Sequence, residues 1–215
     1  PTLRVLLEVK PTSPKATVEN IRFHGIGFAH QGFAVGPLGR DFYQAEADAP
    51  SAIQVENSSN IVFDRCEIFN VEASAIELGV GCKNCQVINS SIHDVGGGCI
   101  RVGGMTVSED EATLASDNIV SNNLLVHFGR ILPAGIGVWI GQSPRNLVSN
   151  NEIGDGYYTG ISVGWTWGYG KSNALGNKIE DNLIYDIGQG VLSDMGGIYH
   201  LGVAPGTVLR GNRIH

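Results

Sequence analysis

The chain has 215 residues, of which 30 are glycine and only 16% are charged. This composition is poor in helix formers and rich in turn residues, and it favours short strands joined by tight corners. The formal net charge of −7, without any cluster of Lys and Arg, argues against a nucleic-acid partner, and no apolar run reaches the length of a membrane span.

The chain begins at Pro1 without a signal-like segment and stops at His215 inside a repeat. We therefore expect residues 1–215 to be one domain and a piece of a longer protein, truncated at both ends. Further rungs or domains of the same polypeptide are then expected partners.

One motif, roughly N-x-x-x-x-N-x-I-x-D, recurs along the chain. Its apolar anchor returns after 24 to 40 residues, at Phe28, Ile68, Ile92, Leu125, Ile153, Ile184 and Ile214. After each anchor but the last comes a second short strand with alternating residues, at 52–55, 75–78, 99–102, 135–139, 160–163 and 197–201. Repeats this short bury a core only by stacking on their neighbours. The pattern predicts an all-β fold, a parallel β-helix of about six to seven rungs with rungs about 4.8 Å apart.

Polar residues mark one corner of each repeat. They form a predicted ladder of Cys66, Ser91, Asn123, Asn151, Asn182 and Asn212, whose side chains hydrogen-bond along the stack. We assign these residues a structural role.

Four cysteines are present, at Cys66, Cys82, Cys85 and Cys99. The Cys82-x-x-Cys85 spacing suggests zinc, but the second pair that a four-ligand site needs is missing. Cys85 falls on a repeat position occupied elsewhere by Ile61, Ile119 and Leu147, so we interpret it as a buried hydrophobic residue. No metal site and no cofactor are predicted.

The insertions that lengthen the repeats gather around one sheet. They precede its strands at 31–49, 129–133 and 188–195, and follow them at 105–116 and 164–172. Loops that wall a Gly-lined sheet make a groove, where function usually lies. Alternation predicts the residues that face this groove: Gln54, Glu77, Arg101, Gly137, Ser162 and Tyr199. The residues predicted to face inward are Ile53, Ile76, Ile100, Ile136, Ile161 and Ile198.

A second column lies two residues past each anchor, at His30, Asn70, Asp94, His127, Asp155 and Asp186. For most of this column we expect corner capping, in which Asp or Asn binds local backbone amides. Asp155 is the exception because it opens an aromatic-rich run.

That run, residues 155–170, contains Tyr157, Tyr158, Trp165, Trp167 and Tyr169, with Trp139 on the preceding rung. Trp and Tyr held in Gly-rich loops suit the flat faces of sugar rings. The alternative is that these aromatics pack the loop against the coil.

Asp194 lies in the insertion of the next rung, and the repeat register puts its backbone about 8 Å from that of Asp155. Two carboxylates at such a range suit glycosidic bond hydrolysis. One donates a proton to the leaving oxygen, and the other attacks or activates water.

Residues 133–170 and 187–215 resemble β-helix glycoside hydrolases of the pectin-lyase-like superfamily, especially family 141, whereas residues 16–104 resemble them only as repeats. The resemblance implies a right-handed coil and an α-L-fucosidase or xylanase activity on plant-wall polysaccharides. It also implies catalysis by two aspartates, which match Asp194 in S-D-M-G-G-I-Y and Asp155 in D-G-Y-Y-T-G-I-S-V-G-W. Family members normally carry several further rungs, and we expect a secreted or periplasmic enzyme.

The first hypothesis is therefore a hydrolase of oligo- or polysaccharides with Asp194 and Asp155 as its carboxylate pair. Its predicted substrate-binding residues are Tyr157, Tyr158, Trp165, Trp167, Trp139, Tyr199 and His200.

Two alternatives remain. A polysaccharide lyase would need a basic residue and usually Ca²⁺, and Arg101 with Glu77 are its outward candidates. A non-catalytic coil for carbohydrate binding or adhesion would bind sugar without proton transfer.

Overall fold

The computed structural model describes residues 3–13, 16–35 and 43–215. Within these residues the chain forms three parallel seven-stranded sheets. It passes from sheet 1 to sheet 2 to sheet 3 and then returns to sheet 1 one rung further along. The predicted all-β parallel β-helix is confirmed, with about seven rungs.

Most strands are only three to five residues long. Sheet 1 contains Leu7–Val9, Ser51–Val55, Ser74–Leu78, Ile100–Val102, Val138–Ile140, Ile161–Val163 and Ile198–His200. Sheet 2 contains Arg22–His24, Val62–Asp64, Gln86–Ile88, Ile119–Ser121, Leu147–Ser149, Lys178–Glu180 and Val208–Arg210. Sheet 3 contains Gly27–Ala29, Glu67–Val71, Ser91–Val95, Leu124–Phe128, Glu152–Gly156, Leu183–Ile187 and Arg213–Ile214.

Smaller elements complete the described chain. Val18–Glu19 pairs with Ser58–Ser59, and two 3-10 turns span Gln44–Glu46 and Glu111–Thr113. No described helical segment is long and apolar enough to cross a membrane. The strand Leu7–Val9, which pairs with Ser51–Val55, was not predicted, because three alternating residues without a neighbouring copy of the motif are a weak signal.

The anchors of the repeat stack directly on one another in sheet 3. Each is paired in register with the next, from Phe28 opposite Ile68 to Ile184 opposite Ile214. Except for Ile214, which is exposed at the last rung, their side chains enter one apolar core together with the inward residues of sheets 1 and 2. Apolar burial, worth about 25 cal/mol per Å², therefore explains why this position recurs.

The four cysteines lie buried in this core as free thiols. The predicted burial of Cys85 is confirmed. Burial raises the pKa of the Cys99 thiol, so it stays protonated and acts as a small hydrophobic residue.

The corner between sheets 2 and 3 carries the predicted amide ladder, with one correction. The second member is Ser90 and not Ser91, because Ser90 Oγ accepts from the Cys66 amide and the Ser90 amide donates to Asn123 Oδ1. From there Asn123, Asn151, Asn182 and Asn212 bond in sequence, with side-chain distances of 2.9 Å.

A second amide ladder, which was not predicted, lies between sheets 1 and 2. It runs from the Cys85 amide through Asn118 and Asn146 to Asn177. The expected repeat position of Cys85 was therefore wrong by one residue: Gln86, not Cys85, pairs with Ile119.

The second predicted column adopts a left-handed backbone at every rung. The φ angles of His30, Asn70, Asp94, His127, Asp155 and Asp186 lie between 48° and 67°. Asn and Asp tolerate this conformation better than most residues, so the column marks a corner on every rung. Capping of local backbone amides by these side chains stays a prediction.

The predicted facing is wrong on one rung of sheet 1. Val138, not Ile136, pairs with Ile100 and Ile161, and Trp139, not Gly137, therefore occupies the outward column. Ile136 instead packs beside Trp139 in a second apolar cluster. The insertion before this strand is longer than the alternation suggested.

The remaining insertions border sheet 1 as predicted, since long segments separate its strands from sheet 3 before them and from sheet 2 after them. Residues 36–42 of the first insertion lie outside the described part of the chain.

Candidate active site

A row of tryptophans stands on the outward face of sheet 1. Val138 and Ile140 point into the core, so Trp139 between them points outward. Trp165 follows the next strand, and its ring centroid lies 5.3 Å from that of Trp139 in an edge-to-face arrangement. Trp167 continues the row at 4.9 Å from Trp165. Such contacts hold the three rings in fixed orientations.

Exposure rises along this row. Trp139 is 1% exposed, Trp165 is partly buried and Trp167 is 59% exposed. Trp167 and part of Trp165 are therefore accessible to solvent, whereas Trp139 is covered and packs against Trp165.

Tyr158 also lies beneath the surface. It packs with Trp139, Ile136 and Ala47 in the second apolar cluster, and its hydroxyl donates a 2.6 Å hydrogen bond to the carbonyl of Asp194. Burial raises the pKa of Tyr158 above its ordinary value. For Trp139 and Tyr158 the packing alternative describes the structure, and sugar contact by either remains a prediction.

Asp194 is exposed at the edge of this face. It has a left-handed backbone, with φ of 55°, and one carboxylate oxygen accepts the Tyr199 hydroxyl at 3.1 Å. Tyr199 pairs with Ser162 in the outward column, as predicted. The Tyr158 bond from below and the Tyr199 bond from the side fix Asp194 at the end of its insertion.

His200 occupies a different column. It pairs with Val163, whose side chain points into the core, so its position continues the inward row. Partial burial lowers the pKa of His200, which favours the neutral imidazole.

Asp155 sits in a dense charged network on the sheet 3 side of the corner. One carboxylate oxygen lies 2.8 Å from Arg130 Nη2 and the other lies 2.9 Å from His127 Nε2. Gln189 Nε2 also donates to this carboxylate. Burial alone raises the pKa of Asp155, but the hydrogen bonds from Arg130 and Gln189 and the nearby positive charges outweigh it and lower the pKa.

The network extends along the corner and to the aromatic run. His127 Nδ1 lies 3.2 Å from Asp94, one rung earlier. The Arg130 guanidinium lies over the ring of Tyr157, 4.6 Å from its centroid, within cation–π range. The column suggested that His127 and Asp155 were neighbours. Arg130 was missed because it lies in an insertion without a repeat register.

The two candidate aspartates thus belong to different networks, and no described side-chain contact joins them. Asp155 borders an open depression of about 850 Å³ on the outer face of sheet 3, with Tyr185, Glu152 and Asp186. Asp194 instead bonds to Tyr199 and Tyr158 on the sheet 1 side. One insertion touches both, because Gln189 contacts Asp155 and Asp194 ends the same segment.

Arg101 and Glu77 lie earlier on the same outward column. Their side chains are 3.7 Å apart, and Arg101 is buried. Its guanidinium donates to the carbonyls of Ala47 and Ala49 and lies over the Trp139 ring. Burial raises the pKa of Glu77, while Arg101 opposes that shift. A buried Arg101 is poorly placed to serve a lyase as base.

Residues 51–215 match the family model described as a right-handed β-helix region. The chain belongs to the right-handed β-helix family. This assignment gives the coil its hand and agrees with the three parallel sheets. A search of curated proteins finds no match.

Several solved structures are similar to this member of the family. A glycoside hydrolase superposes with a TM-score of 0.86 and 21% identity, over 100% of this chain and 42% of that chain. PfbA, a surface adhesin of Streptococcus pneumoniae, gives 0.56 and 15% identity, over 93% and 59%. The enzymatically active domain of tailspike protein 2 from bacteriophage CBA120 gives 0.51 and 10% identity, over 94% and 33%. At these identities the likeness shows the fold alone, and this chain spans less than half of the matched glycoside hydrolase.

Proposed function

We propose that this β-helix hydrolyses glycosidic bonds in complex polysaccharides of the plant-wall type. The observation that carries the proposal is the row of aromatic rings from buried Trp139 to exposed Trp167. Further along the same face, Tyr199 is hydrogen-bonded to the exposed carboxylate of Asp194. Aromatic rings and a carboxylate on one face suit a sugar ring held against a proton donor. The activity proposed is that of an α-L-fucosidase or a xylanase.

The proposal gives the two aspartates different tasks. Asp155 has a lowered pKa and is therefore ionised at neutral pH, as a nucleophile or general base must be. By elimination, Asp194 is the proposed proton donor to the leaving oxygen. Without ligand, its carboxylate accepts the Tyr199 hydroxyl, and this bond must give way before Asp194 can donate a proton. The insertion 188–195, which contacts both networks, is the element that would bring them to one substrate.

The full-length protein is incubated with xylan or with fucosylated xyloglucan oligosaccharides, and the released sugar is measured to test this proposal. Asp194→Asn and Asp155→Asn should each reduce the rate at least about 100-fold, the usual scale for losing an acid or base. Asp186→Asn is the matched control, since Asp186 lies in the same corner column one rung beyond Asp155. Full activity in both test variants would show the assignment to be wrong.

A second candidate is non-catalytic carbohydrate binding. It is favoured by the separate networks of Asp155 and Asp194, because stacking on Trp167 requires neither carboxylate. Sugar binding that survives Asp194→Asn, without detectable hydrolysis by the wild type, would support it. Both candidates act on polymers outside the cell, and we accordingly propose a secreted or periplasmic location.

A further inference from the structure

A short segment of the first insertion lies across the outward face of sheet 1. This cover segment, residues 43–49, is held by Arg101, whose guanidinium donates to the carbonyls of Ala47 and Ala49. These two alanines are 1% exposed, so the bonds lie in a protected environment. Hydrogen bonds from a charged donor are among the stronger ones, and the cover segment is therefore fixed on this rung.

The cover segment also reaches the two following rungs. Ala45 and Ala47 pack against Trp139 and Tyr158 in the second apolar cluster. Gln44 Nε2 lies 3.5 Å from the Tyr158 hydroxyl. The outward face is thus filled by protein from Arg101 to Trp139, which explains the burial of that tryptophan.

Among the described residues, the outward column becomes accessible again at Tyr199, since Ser162, which follows Trp139, is also buried. Tyr199 and Trp165 are partly exposed and Trp167 is exposed. The Asp194 carboxylate accepts the Tyr199 hydroxyl. On the other side of the cover segment, Glu77 and Gln54 are partly exposed in the same outward column. A sugar chain running along the column past Trp139 would collide with Ala45 and Ala47.

We propose that the cover segment closes the groove at Trp139, so that the site accepts the end of a polysaccharide chain and acts in exo fashion. This inference rests on the proposed function, because it concerns the ligand of the same site. The terminal sugar lies against Trp165 and Trp167, with Asp194 beside it, and the rest of the chain extends away from the cover segment.

The length dependence of binding tests this inference without requiring hydrolysis. The full chain is titrated with xylo-oligosaccharides of increasing length and with size-fractionated soluble xylan, followed by tryptophan fluorescence. The series is repeated with xyloglucan oligosaccharides and xyloglucan. A site for chain ends gives a Kd per molecule that stays constant for all oligosaccharides long enough to occupy the whole site. A groove open at both ends gives a Kd that falls with chain length, about tenfold for a tenfold longer chain.

The outcomes separate the two proposals. A constant Kd without any sugar release keeps the closed groove and overturns hydrolysis. A Kd that falls with length, accompanied by sugar release and rapid loss of polymer viscosity, overturns the closed groove and keeps hydrolysis. Absence of binding to every probe overturns both.

Loosening the cover segment supplies a second test. Arg101→Gln removes the guanidinium from the two carbonyls and should make the Kd depend on polymer length. Arg145→Gln is the control, since it also removes an ion-pairing arginine, but one paired with Asp117 and Glu111 away from this site. A folded Arg101→Gln protein whose Kd stays constant with length would contradict the role of Arg101. The wild-type length series stands whether or not that variant folds.

Discussion

The Nε2 atom of His127 lies 2.9 Å from a carboxylate oxygen of Asp155 on the following rung. Both residues occupy the left-handed corner between sheets 3 and 1. The corner therefore brings charged side chains together at the rung spacing of the coil, about 4.8 Å. Arg130 completes the pairing on the other oxygen of Asp155, which keeps that carboxylate ionised.

The lowered pKa of Asp155 makes its contribution to stability depend on pH. The contribution is present above the unfolded pKa, near 3.8, and is lost as the pH falls through the lower folded pKa. Asp155→Asn should reduce the free energy of unfolding at pH 7 by at most about 1 kcal/mol, because the side chain is partly exposed and screened by solvent.

Urea unfolding of the wild type and Asp155→Asn over a series of pH values measures this difference. The difference should vanish once the pH lies below the folded pKa. Asp186→Asn serves as the control, because Asp186 has no ion pair among the described residues. A difference that persists undiminished at the lowest pH would contradict an ionic origin.

Asn151 is a buried member of the amide ladder whose side chain is hydrogen-bonded at both ends. Its Nδ2 donates to the Val120 carbonyl at 3.0 Å and to Asn182 at 2.9 Å, and its Oδ1 accepts from Asn123. Asn151→Ala leaves buried partners unsatisfied, each costing about 1–3 kcal/mol. We expect about 2–4 kcal/mol of destabilisation in thermal or urea unfolding. Lys178→Ala, at an exposed strand position, should change stability by less than about 0.5 kcal/mol, and equal losses in both variants would refute the ladder's role.

Two glycines in one loop separate backbone strain from steric contact. Gly164 has φ of 94°, and a Cβ there would lie 2.0 Å from the Leu201 carbonyl oxygen, whereas Gly168 has φ of 83° and open space. Gly168→Ala should cost about 1–2 kcal/mol from backbone strain alone. Gly164→Ala should cost more in urea unfolding, since the coil must also separate two adjacent rungs. Equal losses of unfolding free energy in the two variants would mean that the adjacent rungs separate near Gly164 at little energetic cost.

The register of sheet 3 was predictable because one apolar residue per repeat must enter the core, and Ile92 opposite Leu125 follows from that requirement alone. The direction in which the side chains of residues 135–139 point was not predictable, because Ile136 and Val138 satisfy the same alternation. The length of an insertion without a repeat decides between them. The amide ladder left a signal in the sequence that was missed. Each member follows a residue with positive φ, a conformation in which Asn and Asp are enriched. Asn89, with φ of 53°, therefore indicates Ser90 and not Ser91 as the ladder member.

The candidate site was less predictable for the same reason. Tyr199 follows from strand alternation, and the structure confirms its outward column. Arg130 beside Asp155 and Arg101 beneath the cover segment depend on how insertions fold back onto the coil. Such contacts are specific to one chain and leave no periodic trace.

Trp139 and Trp167, at the two ends of the tryptophan row, are expected to have different roles, the first in structural support and the second in ligand contact. One variant of each separates these roles. Trp139→Ala removes a buried ring and should destabilise the protein by about 3–5 kcal/mol. Trp167→Ala removes an exposed ring that contacts Trp165, so unfolding should change by less than about 1.5 kcal/mol. The same variant should weaken sugar binding several-fold in a xylo-oligosaccharide titration followed by calorimetry. Tyr169→Ala is the matched control, an exposed aromatic of the same loop that is 98% exposed, and it should bind as the wild type does. If Trp167→Ala and Tyr169→Ala bind equally well, the exposed end of the row is not where the sugar stacks.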